Sequence, residues 1–198
     1  MNKMPGSQRG ALMIEVLIAI AIVIFGVMSV MRVQARLQLS EAETYQRTQA
    51  LILLDDMVSR IETNRNDAEN YLTDTDPGKG PLGTGATWCT TPETPTLQQS
   101  DSAEWCSALQ GAGEVQGGSS VGAMIGARGC VERNPNAGPL VREYMVTVVW
   151  QGMTPISAPP PSVTCGATAF DDPDTDCEKD RCRRYVSTIV RHADLEDI

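Results

Sequence analysis

The stretch QRGALMIEVLIAIAIVIFGVMSVMR, residues 8–32, decides how the rest of the chain is read. From Ala11 to Met31 only Glu15, Gly26 and Ser29 interrupt an apolar run of 21 residues. As a helix this run would span roughly 30 Å, the thickness of bilayer hydrocarbon. Lys3 and Arg9 stand before it, and Arg32 and Arg36 after it. A cleaved secretory signal has a shorter apolar stretch and ends in a small-residue cleavage site. No Ala-x-Ala-like site precedes the arginines here. A plain anchor helix leaves Glu15 unexplained, because an unpaired carboxylate at membrane depth is costly and needs a partner. A cut after Gly10 would supply one. Ala11 would then carry a cationic amine one helical turn from Glu15, at the positive end of the helix dipole. The pair could form within one chain or between neighbours, which would make the carboxylate a device for setting helix register.

Arg9–Gly10 followed by ALMIEVLIAIAIVIFG resembles the prepilin signature of type IV pilins and type II secretion pseudopilins. The resemblance implies that a basic leader, residues 1–10, stays on the cytoplasmic side. A prepilin peptidase would cut after Gly10 and methylate Ala11, and Glu15 would guide assembly. The first mature residue of that family is usually Phe, and here it is Ala11. RVQARLQLSEAETYQRTQALILLDDMVSRIETNR (32–65), YMVTVVWQG (144–152) and CRRYVSTIV (182–190) resemble PilV-type minor pilins in particular. That group implies insertion in the inner membrane with the head in the periplasm, then incorporation into a surface pilus, near its tip, to help initiate assembly. The implied partners are other minor pilins, the major pilin and a tip adhesin. A pseudopilin of a secretion system, and a membrane-anchored periplasmic binding or adhesion domain, are the alternatives. Glu15 speaks against the last, since a mere anchor gains nothing from a carboxylate.

Composition narrows the classes further. A net charge of −9, with three lysines, disfavours nucleic acid, which wants a basic face. Aromatic residues are 5% of the chain, so a core must lean on aliphatic side chains. The six cysteines, Cys89, Cys106, Cys130, Cys165, Cys177 and Cys182, all follow the apolar run. Their spacing forms no zinc knuckle, and an even count beyond a membrane segment favours disulfides. The expected pairs are Cys89–Cys106, closing a loop worth about 3 kcal/mol, and Cys165 with Cys177 or Cys182.

Residues 32–66 contain neither Pro nor Gly, and Leu51, Leu54, Val58 and Ile61 recur at helical spacing. The pattern predicts one helix from Ala11 to about Asn66, roughly 80 Å long. Residues 11–31 would form its membrane or filament-core half. Residues 32–66 would form a periplasmic half that lays the Leu51–Ile61 stripe on a head spanning 67–198. From Asp67 to about Gly118 the chain reads as irregular, rich in Gly, Pro, Thr, Ser and acids. Strand signals are weak at 127–132 and strong at 143–150 and 183–192. The prolines of GMTPISAPPPSVTCG (152–166) mark a turn and linker. The predicted class is α+β, a long helix packed on a small antiparallel sheet.

Two further motifs bear on chemistry. Asp172, Asp174 and Asp176 occupy the first, third and fifth positions of a calcium-loop pattern. Cys177 stands where that loop needs Gly, and Arg183 where it needs Glu, so a solvated acidic loop is favoured over a calcium site. His192 has no nucleophile pattern near it, and no GxSxG, P-loop or HExxH is present. No cofactor is expected, and an enzyme is the weakest class.

Overall fold

The computed structural model describes residues 9–73, 80–86, 89–111, 115–116, 119–120, 124–134, 137 and 141–193, with side chains in the first helix from Met13 onward. The chain forms two compact units, Met1–Ala42 and Glu43–Ile198. Helix α1 runs Arg9–Thr63, 55 residues, as the absence of Pro and Gly after Arg32 predicts. It stops three residues short of Asn66, where the chain tightens into a 3₁₀ helix, Arg65–Tyr71. Residues 43–63 belong with the second unit, so the expected division at Asp67 moves forward to Glu43.

Within that unit α1 buries Gln46, Ala50, Leu54, Met57 and Ile61, spaced to lie along one side of a helix. The expected stripe is therefore turned by about one residue. Leu54 and Ile61 are in it, Leu51 is exposed, and Val58 only borders it. The stripe meets a four-stranded antiparallel sheet ordered β1-β4-β5-β6, made of β1 (Leu82–Gly83), β4 (Arg128–Arg133), β5 (Val141–Gln151) and β6 (Arg183–Ala193). Two-residue strands β2 (Val115–Gln116) and β3 (Ser119–Ser120) pair with each other. All three predicted strands are present, and the one with the weakest sequence signal is β4.

Strand β5 explains why the sheet has two covered faces. Tyr144, Val146, Val148 and Trp150 alternate toward α1, and Thr147 and Val149 are buried on the opposite face. Cys130, Cys165 and Phe170 cover that second face. The segment 152–166, expected to be a turn and linker, is therefore part of a layer that continues to residue 182. Gly166, at φ +62°, lets its backbone press against Val149, where a Cβ would come within 2.8 Å of a Val149 methyl.

The stretch 67–118, expected to be irregular, contains helix α2 (Leu97–Leu109). It starts at a capping box: the Gln99 N–H donates to the Thr96 hydroxyl, and the Thr96 N–H donates to the Gln99 carboxamide. Trp105, fully buried, sends its Nε1–H to the Leu53 carbonyl of α1 at 2.8 Å and lays its ring over Gly129 of β4. An added Cβ at Gly129 would come within 2.1 Å of a carbon of that ring. Glycine is thus required there by close approach.

Cys89 is bonded to Cys106, tying the segment before α2 to the helix, with Cα atoms 5.6 Å apart. Cys165 is bonded to Cys130 and not, as expected, to Cys177 or Cys182, which pair with each other. The reason is the pleat. Gly129 and Val131 face the helices, so Cys130 faces the second layer, where the 152–182 segment brings Cys165 across it, Cα to Cα 5.8 Å.

Candidate functional site

The chemically unusual part of the molecule is the first unit. From Met13 to Met31 every large apolar side chain is exposed, from 48% at Ile24 and Val27 to 72% at Met13. The most apolar 18-residue window of α1 has a mean hydropathy of 2.7, and by length and composition this is one helix able to cross a membrane. A helix apolar on all sides is stable only when lipid or other helices surround it. Its polar groups are few. The Ser29 hydroxyl donates to the Phe25 carbonyl at 2.9 Å, so it needs no outside partner.

Glu15 is exposed on this apolar helix, among Met13, Ile14, Val16 and Leu17. Arg9, Gly10 and Ala11 form the first turn of α1. Ala11 and Glu15 are four residues apart within the helix, which puts the two positions one above the other, about 6 Å along the axis. Residues 1–8 of the expected leader, 1–10, lie outside the described residues.

The other sequence candidates lie in the head. The acidic run 171–180 is a pinned loop. Asp172 accepts from the Asp174 N–H at 3.0 Å, and Asp171 accepts from the Asp180 N–H at 2.7 Å. Asp180 accepts from the Thr168 N–H and pairs with Arg183 at 3.1 Å. Arg183, nearly inaccessible, also donates to the Val163 and Cys165 carbonyls. Cys177–Cys182 closes the loop's end, and Asp174 and Asp176 are exposed. Among the described residues no three potential metal ligands come together.

His192 sits on β6 with its ring edge-on to Tyr144 at 5.8 Å and neither ring nitrogen hydrogen-bonded. Burial, and then the nearby Arg65, hold its pKa below the usual value. Tyr144 donates to Glu69 at 2.9 Å, and burial together with that bond pushes its pKa up to about 12. Tyr71 donates to Asp101 and is also pushed up, by burial first. Asp101 in turn receives Arg60 at 2.8 Å, and Arg60 also holds Asp56 and Glu104. This network joins α1, α2 and the 3₁₀ helix. Its charged members come from two separate stretches and Tyr71 from a third, so sequence spacing gave no sign of it.

No family model, curated protein or solved structure matches the chain.

Proposed function

We propose that this chain is a minor subunit of a type IV pilus, of the PilV type. It is inserted in the bacterial inner membrane with its head in the periplasm, cut after Gly10 by a prepilin peptidase, and packed into the filament through residues 11–31. The carrying observation is Glu15, a carboxylate in the exposed apolar stretch of α1, one turn from the position where the cut would create an amine. The amine and Glu15 neutralise each other when neighbouring helices stand in register. Misregistered helices bury two unpaired charges, which costs far more than burying a hydrogen-bonded pair. The head, held by its own core and three disulfides, then rides on the filament surface beside other minor pilins, the major pilin and a tip adhesin.

Glu15→Gln keeps the side-chain shape and removes the charge, and Glu15→Leu removes polarity altogether. Leader removal is expected to proceed in both variants, while incorporation into filaments falls sharply. Finding Glu15→Leu protein in filaments at the parent's ratio to the major subunit would refute this role for the carboxylate. A secretion pseudopilin is separated from this reading by its absence from sheared surface filaments.

A further inference from the structure

A groove of about 450 Å³ opens on the sheet face that carries the Cys130–Cys165 disulfide. That disulfide lines its middle. Thr73, Pro81, residues 164–167 and Ala169 also line it. Side chains two apart on a strand point the same way, so Arg128, Cys130 and Glu132 share this face. Arg128 and Glu132 are therefore at opposite ends, their Cα atoms about 13 Å apart.

The two ends are incompletely paired. The Arg128 guanidinium lies over the Phe170 ring, 5.8 Å from its centre, and its Nε has no hydrogen-bond partner. Among the described residues no carboxylate pairs with it. Arg60, Arg183 and Arg184, also wholly or partly buried, each have one: Asp101, Asp180 and Glu43. Glu132 accepts the Thr164 hydroxyl on one oxygen, and its other oxygen has no partner. Among its described lining residues the groove thus has a cation at one end, an anion at the other and uncharged residues between.

We infer that the groove binds a small zwitterion of the amino-acid or short-peptide class, with its carboxylate on Arg128 and its ammonium toward Glu132. A guanidinium fork matches a planar carboxylate in two parallel hydrogen bonds. Glu132 disfavours a second anion at the far end and attracts a cation. A tripeptide is about 10 Å long when extended, comparable with the separation of about 13 Å between the two Cα atoms. The volume is within the range of small-molecule sites.

The test uses the full chain in detergent micelles, oxidised, with triglycine as the probe, followed by calorimetry and by amide chemical shifts. Saturable binding at millimolar concentration or below is expected, with shifts at Arg128, Glu132 and residues 164–167. N-acetyl-triglycine and triglycine amide, each missing one charge, should bind at least about tenfold more weakly, as should triglycine to Arg128→Gln and to Glu132→Gln. Arg128→Lys keeps the charge without the fork and should retain part of the affinity, which keeps the test decisive if Arg128→Gln folds poorly. Absence of saturable binding, equal binding of N-acetyl-triglycine, or affinity unchanged by Arg128→Gln would overturn the inference.

Discussion

Replacing Gly129 by Ala tests the packing that joins α2 to the sheet. In an ordinary strand this change is favourable by about 0.5–1 kcal/mol, because alanine loses less backbone entropy on folding. Here the new methyl would come within 2.1 Å of the Trp105 ring, which has no exposed surface. Displacing a packed aromatic costs about 1–3 kcal/mol, and the shift also threatens the 2.8 Å bond from Trp105 to Leu53, worth about 1 kcal/mol. The net expectation is a loss of about 2 kcal/mol, or a fall of roughly 4–8 °C in the melting temperature of a head this size. Trp105→Phe alone should cost about 2 kcal/mol, through the lost hydrogen bond and the vacated outer ring. In that background Gly129→Ala places its methyl in the vacated space, so its cost should fall close to zero, a coupling of about 2 kcal/mol. Urea denaturation of the oxidised full chain in micelles, followed by circular dichroism, measures all four corners. Gly129→Ala within about 0.5 kcal/mol of the parent, or an undiminished loss in the Trp105→Phe background, would refute the reasoning.

Non-reducing peptide mapping should recover Cys89–Cys106, Cys130–Cys165 and Cys177–Cys182; a peptide joining Cys165 to Cys177 or Cys182 would contradict the second layer. Replacing both Cys130 and Cys165 by Ser should cost about 4 kcal/mol in the chain-entropy model, for a sequence separation of 35 residues. Tyr144 is protonated more firmly in the folded head than in the unfolded chain. Its contribution is therefore intact below about pH 10 and lost as pH rises toward about 12, and Tyr144→Phe should flatten that alkaline loss in a stability-against-pH series. His192 has the opposite sense. Its depressed pKa favours the neutral ring, so the head should lose stability as pH falls through the ordinary histidine range, and His192→Phe should lessen that slope.

The long helix was legible because nothing in 32–66 interrupts it, and a 3.6-residue period survives even when the buried side is assigned one residue off. Strands β5 and β6 were legible because β-branched runs alternate across a pleat. Helix α2 was missed although its signal was present. Thr96 and Gln99 form a capping box in sequence, but the buried face of LQQSDSAEWCSAL, Ser102, Trp105, Cys106 and Leu109, covers only two turns and begins with a polar residue, so its apolar period is short. The stretch 152–166 reads as a turn and linker because its prolines forbid a central strand. They do not forbid a layer held by Arg183 and a disulfide. The pairing of Cys165 depended on which face Cys130 takes, and spacing carries no such information. The groove between Arg128 and Glu132 was invisible for the same reason, since its far wall lies more than thirty residues along the chain. The proposed processing site differs in kind. Gly10, Ala11 and Glu15 lie within one short stretch of sequence, so the whole constellation can be read without a fold.

The filament reading is tested most directly by the N-terminus of the protein in sheared, purified surface filaments from cells with an active peptidase. The account predicts that the chain is present there and begins at Ala11, with or without an added methyl group. Its absence from those filaments, or its presence with Met1 retained, would contradict the account.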